Sequence, residues 1–174
     1  DIQDVGAEAP RTLTFDYASA GVGIYSMAAG PDGKLYGATG LPLRIWRFDP
    51  RSGAMGNWGL GNHGGHANQF VRQGDKLYGA VYSSGSLIEL DPTLPVHDAA
   101  IDKSTNPRHL HGSTYGFGGK PDMLGRPHAL LAHPDGDHVL MGGNPARVRV
   151  GGGMLIYTTR TAEEMVLKPE DVVP

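Results

Sequence analysis

Ile24-Tyr25-Ser26-Met27-Ala28-Ala29-Gly30-Pro31-Asp32-Gly33-Lys34-Leu35-Tyr36-Gly37-Ala38, followed by Ile45-Trp46-Arg47-Phe48-Asp49-Pro50, is the stretch from which the fold can be read. Its pattern returns 42 residues later as Lys76-Leu77-Tyr78-Gly79-Ala80, and at the same offset Ile88-Glu89-Leu90-Asp91-Pro92 matches Trp46 to Pro50. A third copy starts at Pro127-His128-Ala129-Leu130-Leu131-Ala132-His133-Pro134-Asp135-Gly136, continues through His138-Val139-Leu140-Met141-Gly142-Gly143 and ends in Met154-Leu155-Ile156-Tyr157. Self-similarity at a fixed period of this size is the mark of a repeat architecture.

Within each copy, runs of four to seven apolar or aromatic residues alternate with Pro-Asp-Gly, Gly-Asp, Gly-Ser or Asp-Pro turns, the signature of antiparallel strands. Asp-Gly at 32–33 and 135–136 supplies the positive backbone angles of a tight hairpin. Gly37, Gly79 and Gly142 recur inside the second strand, where a missing side chain predicts close approach of a neighbouring sheet. A third strand carries Trp46/Phe48, Ile88/Leu90 and Leu155/Tyr157 at period two. For the outer, fourth strand the candidates are Arg11 to Tyr17 before the first copy and Glu164 to Lys168 after the last. Three or four strands per unit at this period match a β-propeller blade. The expectation is an all-β chain of four-stranded antiparallel blades, about three to four in number, forming one domain over 1–174. Blades fall at approximately 18–60, 61–102 and 125–168, with a long loop at 93–125.

The same residues, Ile24 to Gly37 and Arg47-Phe48-Asp49-Pro50, resemble blades of bacterial seven-bladed propellers of the YVTN, SMP-30-like and virginiamycin-lyase-like kind. Asn106-Pro107-Arg108, Gly125-Arg126-Pro127 and Gly151 to Tyr157 are similar to propellers of polysaccharide-active proteins. The resemblance spans roughly 11–168 and implies that three blades are part of a larger, seven-bladed ring, since closed propellers need about four to eight. A small four-bladed ring, or an open array completed by a homo-oligomeric partner, are the alternatives. Glu170-Asp171-Val172-Val173-Pro174 reads as the lead-in to a further blade.

Composition narrows the function. The 174 residues include 15 Lys+Arg, 18 Asp+Glu and no cysteine, so thiol nucleophiles, disulfides and cysteine-held metals are excluded. A formal charge of −3 without a basic run gives no footprint for nucleic acid, and no apolar run reaches bilayer length. The chain reads as soluble. It opens at Asp1 without a charged-then-apolar leader, so a leader is absent or already removed; of the possible compartments, a secreted or periplasmic one is the expectation. Gly-x-Ser-x-Gly, phosphate-loop and His-Glu-x-x-His motifs are missing. Gly116-Phe117-Gly118-Gly119-Lys120 runs into Pro121 and reads as a loop.

A blade's first strand lines the central channel, which turns sequence position into a site. His66 opens the first strand of the second blade, Asn68 lies two residues on, and His63 precedes them in Gly61-Asn62-His63-Gly64-Gly65. Arg126 and His128 take the corresponding place in the third blade, preceded by Arg108, His109, His111 and Tyr115 in a long insertion, while Ile24 and Tyr25 are the equivalents in the first. Tyr82 sits in the loop that rims the same face. The catalytic candidates are therefore His63, His66, Tyr82, Arg108, Arg126 and His128, and the ligand-binding candidates Asn68, His109, His111 and Tyr115. Imidazole exchanges protons near neutrality, and guanidinium pairs with carboxylates. His109-Leu110-His111 on one face of an extended segment, joined by His63 and His66, is a candidate site for a divalent metal; no cofactor is fixed by the sequence. His97, His133 and His138 read as surface or turn residues, as do Arg147 and Arg149. Asp98, Asp102 and Asp122 form no calcium loop, and no carboxylate pair for glycoside hydrolysis is evident.

Two functions follow. One is a binding module that recognises a carbohydrate or other small molecule at the channel face, with Trp58, Tyr82, Tyr115 and Phe117 as stacking surface. The other, resting on the resemblance as well as on the His and Arg positions, is a lyase that cleaves beside a uronic acid by β-elimination. There Arg108 or Arg126 would neutralise the carboxylate, His66 or His63 would take the α-proton, and Tyr82 or a second His would protonate the leaving oxygen.

Overall fold

The computed structural model describes residues 2–3, 12–13, 21–61, 64–82, 84–112, 124–145 and 151–172. His63, Tyr115, Phe117, Asp122, Arg147 and Arg149 lie outside them. Three four-stranded antiparallel sheets follow one another along the chain. The first is β3 (Ile24–Ala29), β4 (Leu35–Thr39), β5 (Arg44–Phe48) and β6 (Met55–Gly59); the second is β7 (Ala67–Gln73), β8 (Lys76–Val81), β9 (Ser86–Leu90) and β10 (Arg108–His111); the third is β11 (Arg126–Ala132), β12 (His138–Asn144), β13 (Gly153–Thr158) and β14 (Glu164–Leu167). Each is ordered from inner to outer strand, as in a propeller blade. β7 packs against β3 on one side and β11 on the other, so the innermost strands gather at a common axis.

Several boundaries differ from the sequence reading. The first blade takes its outer strand from Met55–Gly59, not from Arg11 to Tyr17; within that stretch β2 (Thr12–Leu13) pairs, among the described residues, with β1 (Ile2–Gln3). The second blade runs past 102 to His111, so the end of the expected loop is its outer strand. Residues Pro169–Val172 form one helical turn, α1. Among the described residues no helix is long and apolar enough to cross a membrane.

Cores lie between blades. Tyr36, Ala38 and Ile45 of the first blade meet Phe70, Leu77, Ile88 and Leu90 of the second, and Tyr78, Ala80 and Leu87 on its other face meet Leu130, Val139, Met141, Leu155 and Tyr157 of the third. The middle sheet thus buries both faces, which is why β9 is buried at all five positions. Each large apolar side chain so buried stabilises the array by about 1.5–3 kcal/mol.

The recurring glycines behave differently from expectation. A Cβ on Gly79 would lie 2.9 Å from the Phe70 ring and 3.0 Å from Ile88, and one on Gly37 would strike Trp46. These spaces are filled from within the blade, not by the neighbouring sheet. In the third blade the hairpin is one residue longer, His133 N–H bonding His138 O where Gly30 N–H bonds Lys34 O. The pairings Ser26↔Ala38, Gln69↔Ala80 and Ala129↔Gly142 then put Met141 in the place of Gly37 and Gly79, and Gly142 in that of Ala38 and Ala80. Gly142 has open space around it. It lies on a face whose paired residues Leu131, Leu140, Ile156 and Met165 make an apolar row across all four strands, with Leu131 and Met165 more than half exposed.

Candidate functional site

One end of the axis is built by a device repeated in every blade. Between Ile24 and Ser26, between Ala67 and Gln69, and between Pro127 and Ala129 the inner strand holds one residue more than its partner. Such a bulge leaves the extra residue unpaired and re-aims its side chain. The three bulged residues are Tyr25, Asn68 and His128. Beside them stand the residues that open the inner strands, Gly23, His66 and Arg126, and those that close the second strands, Gly40, Tyr82 and Asn144; their pairing is fixed by Gly40 N–H to Gly23 O, Tyr82 N–H to His66 O and Arg126 opposite Asn144.

Packing joins these positions across blades. His66 is sandwiched between Tyr25, at 4.2 Å between ring centroids and 20° between planes, and Tyr82, at 4.7 Å and 9°. Glycine at 40 is required here, because a Cβ there would come within 2.6 Å of the Tyr25 ring and 2.9 Å of His66 Cβ. Ser26 Oγ donates to Ala67 O at 2.9 Å, and the Asn68 amide donates to the equivalent carbonyl of Pro127. Asn68 therefore ties the second blade to the third. Asn144 Nδ2 lies 3.4 Å from His128 Nε2. His128, Asn144 and Tyr25 are exposed, and His66, Tyr82 and Arg126 half-buried.

Arg108, His109 and His111 are elsewhere. They form the outermost strand of the second blade, three strand spacings or about 14 Å from the inner strand that His66 opens, so they share no channel opening and no metal ion with it. Glu89, 3% exposed, accepts from Arg108 Nη2 at 3.1 Å, Lys76 Nζ at 3.0 Å and the Tyr78 hydroxyl at 2.9 Å, with Arg108 Nε at an ion-pair distance of 2.8 Å. Burial opposes the charge on Glu89, but the hydrogen bonds from Arg108, Lys76 and Tyr78 outweigh it and hold the carboxyl below its usual range. Burial, then the charge of Glu89, pushes the Tyr78 phenol up. Arg108 is a structural residue of the second blade, tying its outer strand to β9.

The paired histidines are also separated. A bulge at Leu110 turns His109 to Ser86 Oγ at 3.1 Å and His111 to Glu164 Oε2 at 2.7 Å, the latter clasping the outer edges of two blades. Burial, with the neighbouring charges of His111 and Lys103, lowers the His109 pKa. Of the sequence candidates, the structure brings together His66, Asn68, Tyr82, Arg126 and His128. Asn144 joins them unforeseen, in the place that Tyr82 takes in the second blade, and Tyr25, an equivalent position in the sequence but not a candidate there, stands in the place of Asn68.

The fold is an arc of a β-propeller in which Tyr25, His66, Asn68, Tyr82, Arg126, His128 and Asn144 stand at one end of the inner strands. Among solved structures the chain is similar to virginiamycin B lyase from Staphylococcus aureus, at 12% identity and a TM-score of 0.63 over 92% of this chain and 45% of that one. The same values hold for a catalytically inactive histidine-to-alanine variant of that enzyme with quinupristin. A streptogramin B lyase matches at 14% identity and a TM-score of 0.58, over 87% of this chain and 42% of that one. The chain thus spans less than half the length of these structures, and the likeness establishes the fold. No protein-family model and no curated protein matches the sequence.

Proposed function

We propose that the channel mouth binds a small, ring-shaped polar ligand, a carbohydrate foremost, and that the chain serves as part of a propeller binding module. The observation that supports this reading is the repeated bulge, which turns Tyr25, Asn68 and His128 out at the same end in three successive blades. The Tyr25 ring, half exposed at the head of the stack, offers a flat apolar surface to the face of a sugar, while Asn144, His128 and Arg126 offer hydrogen bonds at its rim. Arg126 suits a ligand bearing a carboxylate. Three blades over 45% of the neighbouring chain scale to a ring of between six and seven, within the usual propeller range, so the complete mouth would receive further residues from blades beyond these three.

Elimination chemistry is the second reading, favoured by two imidazoles and a guanidinium at one opening and by neighbours named as lyases. With Arg108 committed to Glu89, Arg126 is left to neutralise a uronate carboxylate; His66 or His128 would take the α-proton, and Tyr82 would protonate the leaving oxygen. Calorimetric titration with neutral and uronate oligosaccharides separates the readings. Saturable binding weakened by His66→Ala and Arg126→Ala, without the absorbance of an unsaturated uronate, supports the module; growth of that absorbance, lost in His66→Ala, supports the lyase. Binding that neither variant alters would remove both.

A further inference from the structure

We propose a second, separate site: the tip of the β11–β12 hairpin binds one divalent transition-metal ion through His133, Asp135 and His138. This tip lies at the end of β11 opposite Arg126, about 20 Å along the strand, and plays no part in the channel mouth. Both imidazoles present the same atom to the same oxygen, His133 Nδ1 at 2.9 Å and His138 Nδ1 at 2.6 Å from Asp135 Oδ2. All three ligand atoms fall within 4.8 Å of one another, and the rings stand edge to face at 85°.

The surrounding bonds hold this arrangement in place. Asp135 Oδ1 is engaged by the N–H groups of Asp137 at 2.9 Å and His138 at 3.1 Å, which leaves Oδ2 aimed between the rings. Gly136 takes a positive φ of 82° and bonds His133 O, closing the turn. From the neighbouring blade the buried Gln73 amide donates to both His133 O and His138 O, at 3.0 and 3.2 Å, so the mouth of the hairpin is clamped where the two histidines leave it. Outer-shell support of this kind is what fixes ligand orientation at metal sites.

The donor set selects the ion. Two imidazoles and one carboxylate suit zinc, cobalt or nickel, whereas calcium and magnesium demand oxygen alone. Tetrahedral bonds of 2.0–2.2 Å put ligand atoms about 3.3 Å apart, so the two nitrogen-to-oxygen gaps must open by less than an ångström. Each imidazole offers its Nδ1 lone pair once its proton resides on Nε2; on His133 the ion takes the place of the Asp135 N–H that now lies 3.3 Å from Nδ1, and water completes the coordination.

The intact chain, stripped with a chelator, is titrated with Zn2+ by calorimetry and with Co2+ by visible absorption. One equivalent should bind, with affinity reduced at least ~10-fold in Asp135→Asn and His138→Ala, abolished in the His133→Ala/His138→Ala double variant, and unchanged in His97→Ala. Proton and carbon NMR of the unaltered chain gives a reading independent of variant folding: Zn2+ should move the ring signals of His133 and His138. Absence of saturable binding, unchanged affinity in the double variant, or movement confined to other histidines would each overturn the site.

Discussion

Replacing Glu89 with glutamine tests how the buried ion network across β8, β9 and β10 holds the second blade. The carboxylate is buried and receives Arg108, Lys76 and Tyr78. Glutamine keeps one acceptor but points an N–H2 group at donors that have no other use for it. Breaking a buried ion pair from one side costs about 3–5 kcal/mol. The Arg108 and Lys76 side chains are 39% and 31% exposed and regain water, which brings the loss to about 2–3 kcal/mol. For a chain of this size that is a fall in Tm of roughly 5–10 °C. The pH dependence has a definite sign. The folded Glu89 pKa lies below its usual value, so its stabilisation is complete above the unfolded pKa near ~4.3 and is lost as pH drops through the folded value. Urea unfolding of wild type and variant, followed by circular dichroism, should show the full gap at pH 7 and a narrowing gap below about pH 4. A gap under ~1 kcal/mol at neutrality, or one that stays constant into acid, would show that the network does not carry the stability of this blade.

Other expectations concern the stack, the glycines and the exposed apolar row. His66→Phe preserves ring stacking, so stability should change by less than ~1 kcal/mol while any ligand affinity at the mouth falls; equal loss of both in thermal and binding assays would count against a binding role. Gly79→Ala forces a methyl against Phe70 and Ile88 and should cost about 1–3 kcal/mol, whereas Gly142→Ala, with open space, should stay within ~0.5 kcal/mol; denaturant midpoints read both. The apolar row of Leu131, Leu140, Ile156 and Met165 should be covered by a further blade, from a longer chain or a second copy, so the native mass should lie well above 18.4 kDa; a monomer of that mass would contradict this.

The repeat was legible because alternating apolar runs and Asp-Gly turns are local properties. Strands β3 to β5, β7 to β9 and β11 to β14 fall where that pattern puts them. The failures are all non-local. Arg108 to His111 has no apolar alternation of its own, since its role as an outer strand depends on Glu89 and Glu164 across the fold. One extra residue in the hairpin at Asp137 shifted the third copy against the others, which hid the equivalence of Gly142 with Ala80 and of Asn144 with Tyr82. The places of His66, Asn68, Arg126 and His128 at the openings of inner strands are legible from the repeat register, but the bulge beside them leaves no trace in composition.

Histidine side-chain NMR during titration with a uronate oligosaccharide measures directly whether the bulged end is the working end. The ring signals of His66 and His128 should shift together and saturate, with those of His97, His133 and His138 stationary. Shifts at the latter three alone, or none at His66 and His128 while calorimetry reports binding, would contradict a ligand site at the channel mouth.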